Sequence, residues 1–261
     1  MKKFETLLTE NQNQVFTITL HRPEVHNAFN EVLIRELTEA VQEASKNKEI
    51  RAIVITGIGN TFCAGGDLNW MKKSATYTRE ENIEDAKKLH QMLLSIHHAP
   101  QPVLAKVNGP AFGGGVGLTA ACDLSFAYKT ALFSLSEVRL GLAPAVISPF
   151  VIRKIGLNRF REYSLTAERF SAMQAKEMGL VQHCGSPEEI DELIEAKIQM
   201  IKMGGPEALA QTKVLIEEVS SSSMEKAGEI TGKFLADRRA SAEGQEGITA
   251  FFEKRKAKWV S

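Results

Sequence analysis

Three consecutive glycines, Gly113 to Gly115, end an apolar strand-like run and open an Ala/Leu-rich helix-like one within Asn108-Gly-Pro-Ala-Phe-Gly-Gly-Gly-Val-Gly-Leu-Thr-Ala-Ala-Cys-Asp123. Without side chains the backbone can present its N–H groups directly to a ligand, at the positive end of a new helix. A negatively charged oxygen suits such a place best. A tight strand-to-helix turn with no ligand would use the same residues, and taken alone it is the simpler reading. It loses ground to a second glycine turn, Phe62-Cys-Ala-Gly-Gly-Asp67, which also follows a β-like run.

The rest of the chain repeats strand, turn and helix. Val15–Leu20 alternates with β-branched residues, and Arg22-Pro23 ends it. Asn27 to Ala44 carries Phe29, Leu33, Leu37, Ala40 and Val41 at helical spacing, with Asn27 or Asn30 as its cap. Ile50–Thr56 reads as a buried strand, which makes the first quarter a right-handed crossover unit. Lys72 to Asn82 is polar and reads as an irregular, mobile surface segment; Ala86 to His97 is an amphipathic helix. Further strands are expected at 102–108, 123–128 and 131–135. Together these give an α/β core with active turns at strand ends. From Pro187 onward strands disappear, and 188–202, 206–219, 224–240 and 245–257 read as four helices. The expected division is therefore 1–186 for the core and 187–261 for a helical region, packed on its own core or on a neighbour.

Bulk composition excludes several function classes. The 32 basic and 32 acidic residues balance, so neither nucleic acid nor a membrane surface is an expected partner. Met1–Thr6 places polar and acidic residues where a signal peptide needs an apolar run, and no window is long and apolar enough to span a bilayer. The expected location is cytoplasmic. Cys63, Cys122 and Cys184 have no paired or metal-like spacing and read as small buried residues. The six histidines are scattered, so no metal site is expected. No Gly-Lys-Ser/Thr follows either glycine turn, and no Gly-x-Ser-x-Gly elbow occurs, which argues against a phosphate loop and a serine nucleophile.

The candidate chemistry lies in the two turns and one carboxylate. Gly66 and Gly114 could each donate a backbone N–H to one oxyanion. Glu137, in Phe133-Ser-Leu-Ser-Glu-Val-Arg-Leu-Gly-Leu-Ala-Pro144, follows a strand and precedes a loop, so its carboxylate can face a pocket walled by Leu135, Leu140, Leu142 and Val146. Desolvation there would raise its pKa towards neutrality, where proton transfer works best. Pairing with Arg139 on the surface is the equally weighted alternative. Asp67 reads as the cap of a helix beginning at Leu68, and Asp123 as a partner for nearby backbone.

Several ordered segments carry a resemblance: Arg22-Pro-Glu-Val-His-Asn-Ala28, Phe62-Cys-Ala-Gly-Gly-Asp-Leu68, Gly109–Gly115 through Ala121-Cys-Asp123, Leu165-Thr-Ala-Glu168 with Ala175–Val181, and Phe251-Phe-Glu-Lys-Arg-Lys256. In these the chain resembles the crotonase superfamily, the enoyl-CoA hydratases and isomerases. The resemblance implies a spiral core of ββα repeats with a C-terminal helical trimerisation region, assembly as a homotrimer or a dimer of trimers, and acyl-CoA thioesters as substrates. No separate cofactor is implied, because coenzyme A is part of the substrate. On matching positions the amides of Gly66 and Gly114 hold the thioester oxygen. Val25, His26, Ala28, Ala64 and Asp67 fall where the family binds CoA, and Phe251 and Lys254 match residues that reach a neighbouring subunit's CoA. His26 stands where a lysine is frequent.

One position departs from the family pattern. Hydratases carry two glutamates, and here the first position is Gly117 while the second, Glu137, is kept. The segment Glu137–Phe150 resembles bacterial hydratases of 3-methylglutaconyl-CoA and related branched, carboxylated substrates of leucine or terpene catabolism. The expectation is that Gly117 leaves room for such a branched or carboxylated end, with Glu137 alone as acid and base. The alternatives are a Δ3-Δ2 enoyl-CoA isomerase using the one glutamate, and a catalytically degenerate acyl-CoA-binding protein.

Overall fold

The computed structural model describes residues 3–260; the part of the N-terminal reading that falls on Met1 and Lys2, and the end of the helical region at Ser261, lie outside them. The chain starts with a hairpin that the sequence reading passed over. Strand β1 (Leu7–Gln12) pairs antiparallel with β2 (Val15–Leu20), joined by Asn13 and Gln14, both in the left-handed region as a two-residue hairpin turn requires. On β2 the alternation buries Phe16, Ile18 and Leu20. Helix α1 (Glu31–Lys46) is capped by Asn30, whose side chain accepts from the Leu33 N–H, and buries Leu33, Leu37, Ala40, Val41 and Ala44. It begins four residues later than Asn27, because Asn27 is left-handed (φ 57°) and its side chain bridges neighbouring loops.

Strand β3 (Ala52–Gly57) is followed by α2 (Leu68–Ser74) and α3 (Arg79–His97). The expected irregular segment 72–82 is thus mostly regular: α2 ends in it and α3 starts in it. A capping box supplies that start, with the Thr78 hydroxyl accepting from the Glu81 N–H while the Glu81 carboxylate accepts from the Thr78 N–H. Next come β4 (Val103–Val107), β5 (Ala111–Phe112), α4 (Gly114–Ala121), β6 (Leu124–Tyr128) and β7 (Leu132–Ser134). A 3-10 turn over Glu137–Leu140 leads to α5 (Ser148–Thr166), which breaks at Gly156 (φ 75°). Then follow β8 (Phe170–Ser171), α6 (Ala172–Glu177), β9 (His183–Gly185) and helices α7 (Pro187–Met203), α8 (Pro206–Ser220), α9 (Met224–Ala240) and α10 (Ala242–Phe252).

The strands form a six-stranded sheet in the order β1-β2-β3-β4-β6-β9, parallel from β2 onward, and a small sheet in the order β5-β7-β8. Parallel neighbours need crossovers, supplied by α1 between β2 and β3, by α2 and α3 between β3 and β4, and by β5 and α4 between β4 and β6. The main core lies between α1, α3, α4, α5 and one sheet face. The opposite face, with Ala52, Val54, Leu104 and Phe126, is covered by Ile190, Ile194 and Ile198 of α7. Residue 187 therefore marks a change in secondary structure and not a break in packing, since α7 completes a core layer. Arg51 ties the later helices in: its guanidinium donates to the carbonyls of Gly204 (2.5 Å) and Trp259 (3.1 Å). Among the described residues no helix is long and apolar enough to cross a membrane.

Candidate active site

The two glycine turns, nearly fifty residues apart, come together through paired backbone. Phe29 donates to the Gly65 carbonyl (2.7 Å) and accepts from the Asp67 N–H (2.8 Å), while the Phe112 N–H donates to the Cys63 carbonyl (3.0 Å). Close approach explains the glycines. A Cβ on Gly65 would stand 2.9 Å from the Phe112 carbonyl oxygen and 3.5 Å from the Gly114 nitrogen, and one on Gly114 would strike the Phe29 ring at 2.8 Å. Gly113 itself is left-handed (φ 48°) and donates to the Ser134 carbonyl, which anchors the N-terminus of α4 to β7. The Asp67 and Gly113 amides are thus committed, whereas the N–H groups of Gly66 and Gly114 meet no protein acceptor among the described residues. Both line a cavity of about 410 Å³.

Glu137 lines the same cavity. The 3-10 turn it opens brings carboxylate oxygen Oε1 to 3.1 Å from where a Cβ on Gly113 would stand. Its other oxygen, Oε2, is buried and has no hydrogen-bond partner. Burial is the chief cause that pushes the carboxyl pKa up, opposed only by its own backbone N–H. The surface alternative is not what forms: Arg139 is exposed and contributes nothing to the titration of Glu137. Of the expected walls, Leu140, Leu142 and Val146 line the cavity, while Leu135 lies in the core behind it.

Gly117 does not open space. A Cβ there would lie 2.2 Å from Cγ2 of Ile147 and 2.7 Å from its Cβ, so the isoleucine already fills the place a larger side chain would take. Ile147 lines the cavity, and Gly117 itself lies outside the lining. The expectation of room for a substrate branch at Gly117 is corrected accordingly: the apolar wall runs through that point.

The residues expected to hold CoA divide into two groups. Val25, His26, Ala28 and Ala64 gather where the early turn meets the first glycine turn, through the Ala64 N–H donating to the His26 carbonyl (3.1 Å). His26 is exposed and left-handed (φ 54°), with the Thr61 hydroxyl 3.4 Å from Nδ1. Ala28 is buried, and its carbonyl accepts from Arg22 (2.6 Å). Asp67 is a fold element and its carboxylate is not a free ligand group. Oδ1 accepts from the amides of Asn69 and Trp70, and Oδ2 pairs with Arg22 at 2.8 Å. Burial disfavours its charge, but Arg22 and the two amides outweigh that and hold the carboxyl below its usual range. Phe251, at the end of α10, and Lys254, just beyond it, are exposed and lie outside the cavity of their own chain.

Several residues of the site went unnoticed in the sequence. Trp70 of α2 and Asp85 of α3 line the cavity, and Ile147 faces Gly117. Asn82, Asp85, Ala86 and Leu89 have the spacing of one helix face, a pattern visible in the sequence once the helix start at Thr78 is recognised. Asn27 is also part of the scaffold: its amide donates to the Ile58 and Thr61 carbonyls and its oxygen accepts from the Arg22 N–H.

Residues 10–261 match the family model described as enoyl-CoA hydratase/isomerase. A crystal structure of an enoyl-CoA hydratase from Shewanella pealeana superposes with a TM-score of 0.95 at 36% identity, covering 98% of this chain and 97% of that one. The enoyl-CoA hydratase ACTT6 of Alternaria alternata is 35% identical over 239 residues, 90% of this chain and 77% of its own. A trans-2-decenoyl-acyl-carrier-protein isomerase of Streptococcus mutans is 26% identical over 98% of both chains. With glycine turns, fold and whole-length similarity in agreement, the chain belongs to the enoyl-CoA hydratase/isomerase family of the crotonase superfamily.

Proposed function

We propose that the protein adds water reversibly across the 2,3-double bond of an enoyl-CoA thioester, with Glu137 carrying the proton. The observation that carries this reading is that Glu137, whose buried Oε2 has no partner, lines the cavity that the residues of the two free amides, Gly66 and Gly114, also line. With the thioester oxygen between those amides, negative charge developing on it as an enolate is stabilised; one such donor contributes about 3 kcal/mol. The Glu137 carboxylate takes a proton from water as the oxygen attacks C3, then returns a proton to C2. The sum is H and OH across the double bond, and the carboxylate is regenerated. Its raised pKa suits both halves of that cycle.

A specific observation favours a second reading. Ile147 packs where the family's other glutamate would sit, so a water held between two carboxylates has no counterpart here. Isomerisation needs only one: Glu137 removes a proton from C2 of a 3-enoyl thioester and delivers it to C4 through the same enolate. The third reading, an acyl-CoA binder without turnover, leaves unexplained why a carboxylate oxygen is buried without a partner, an arrangement that costs stability.

The acyl group is proposed to be uncharged. Glu137 and Asp85 both line the cavity, and among the described residues no lysine or arginine does. A substrate carboxylate such as that of 3-methylglutaconyl-CoA would add a third like charge, which the local electrostatics oppose. CoA is proposed to lie along the backbone of Val25, His26, Ala28 and Ala64. Phe251 and Lys254 would complete the CoA site of a neighbour in a homotrimer or dimer of trimers, in keeping with Phe251 and Phe252 being more than three-quarters exposed. The test is turnover of crotonyl-CoA, a 3-enoyl-CoA and 3-methylglutaconyl-CoA. Loss of enoyl absorbance from the first supports hydration, its gain from the second supports isomerisation, and inactivity on all three leaves the binding reading. Preferred turnover of the third would sink the uncharged-chain argument.

A further inference from the structure

The cavity ends at a partition between helices α2 and α3. Its walls are largely apolar, with Phe29, Met71, Leu89 and Ile147 among them, and Asp85 of α3 lines it too. Asp85 also lines a second, outer cavity of about 650 Å³ whose other walls carry charge, including Glu31, Lys73, Glu84 and Lys88. The carboxylate thus stands between an apolar space and a charged groove. Trp70 of α2 faces it from the inner side. The indole N–H donates to the Asp85 carboxylate, and its nitrogen is shut off from solvent. That bond ties α2 to α3. The end of α2 has a separate tie, the Lys73–Glu31 pair at 2.6 Å, which fastens it to α1.

The opposite end of the cavity is fixed by the two free amides. Met71 Cγ and Sδ lie 3.4 Å, and Trp70 Cε3 lies 3.8 Å, from where a Cβ on Gly66 would stand. The indole therefore begins beside the amide of Gly66 and reaches away from it toward Asp85. An acyl chain held at its carbonyl runs along Met71 and the indole to the partition. Each methylene buried on the way gains about fourfold in affinity. At the partition the gain stops. A methylene can replace neither the indole donor nor the carboxylate acceptor, and splitting the pair leaves both unmet. Beyond it the charged groove offers little apolar surface to cover more of the chain. We propose that Trp70, held in place by Asp85, sets an upper limit on the length of the acyl chain the protein accepts. Trp70 is the residue that determines this specificity, and Asp85 positions it. The inference deepens the proposed function and rests on the acyl chain occupying the same cavity.

The test is calorimetry on the full chain with unreactive, saturated, straight-chain acyl-CoAs of four to twelve carbons. Affinity is expected to climb by about fourfold per carbon up to one length and then to level or fall. Trp70→Phe keeps an aromatic wall but loses the N–H, and Asp85→Leu loses the acceptor. Each should move the limit at least two carbons longer, while affinities below the limit stay within about threefold of wild type. Asp85→Asn keeps an acceptor oxygen and should keep the limit. Affinity that climbs without a break to twelve carbons would overturn the inference, and so would a limit that neither Trp70→Phe nor Asp85→Leu moves. A uniform loss of affinity at every length in those variants would also overturn it, since that marks a merely structural role. Because no turnover is needed, a protein that shows the limit but hydrates nothing would refute the proposed reaction alone. One that hydrates crotonyl-CoA and shows no limit would refute the partition alone, and one that binds no acyl-CoA would refute both.

Discussion

Replacing Gly117 with alanine isolates the claim that Ile147 occupies the first glutamate's place. In an unencumbered helix interior Gly→Ala stabilises by about 0.5–1 kcal/mol, since alanine loses less backbone freedom on folding. At Gly117 the new methyl would stand 2.2 Å from Ile147 Cγ2 and 2.7 Å from its Cβ, where ordinary contact begins near 3.4 Å, and no rotamer change moves the Cβ. Overpacking of this kind costs about 1–3 kcal/mol, so the sign reverses. Ile147→Ala alone empties the space at a cost of about 2–5 kcal/mol. In the double variant the two defects compensate, and the total should fall short of the sum by about 1–3 kcal/mol. Urea unfolding at several protein concentrations measures all three, the concentration series separating folding from assembly. Gly232→Ala in α9, where no atom lies within 4 Å of the added methyl, provides the control and should stabilise. The reasoning fails if Gly117→Ala is neutral or stabilising, or if the double variant is additive.

Glu137→Gln should lower turnover of crotonyl-CoA by about 10²–10⁴-fold while acyl-CoA affinity, measured by calorimetry, is kept. The same variant has a pH-dependent effect on stability. Burial raises the folded pKa of Glu137 above its unfolded value, so the native state holds the extra proton and wild-type stability falls as pH rises through that window. Glu137→Gln should therefore melt higher than wild type above the window and show no such advantage below it. Glu36 behaves oppositely. Burial alone would raise its pKa, but the amides of Glu5 and Thr6 and the Thr6 hydroxyl outweigh it and hold it down. Its contribution is present above the unfolded carboxylate value and lost as pH falls through the folded one, so the deficit of Glu36→Gln, read from melting curves, should shrink in acid. Asn27→Ala strands two carbonyls and one N–H and should cost about 2 kcal/mol or more by urea unfolding; a neutral outcome would mean that water replaces all three bonds.

What could be read in the sequence followed how local the determinants were. Strands β2, β3, β4 and β6 announce themselves because burial on one or both faces imposes a β-branched, apolar pattern, and Met224–Ala240 matches its expected bounds. Strand β1 was missed because it is an edge strand in which Leu7 alone is buried, so no alternation marks it. Strands β5 and β8 have two residues each, too few to show a period. Helix α3 was cut short at Ala86 because its buried residues, Met92, Leu93 and Ile96, all lie in its second half; its first half turns a polar face outward and shows Asn82, Asp85 and Ala86 to the cavity. That Gly66, Gly114 and Glu137 face a pocket was legible, since each sits in a turn whose composition is itself unusual. Ile147 against Gly117 was not, because a contact across thirty residues leaves no periodic trace in either segment.

Phe29 bonds to both sides of Gly66, and Cys63 bonds to both Pro110 and Phe112. The two free amides of Gly66 and Gly114 are therefore positioned by three stretches that are remote along the polymer, with Glu137 arriving from a fourth. Contacts of such long sequence separation form late, after the entropy of closing large loops has been overcome. A growing polypeptide on the ribosome can thus acquire its first crossover and its hairpin while having nothing with which to polarise a carbonyl. Competence for chemistry arrives together with the finished topology, so recovery of turnover during refolding should lag behind the return of helical circular dichroism.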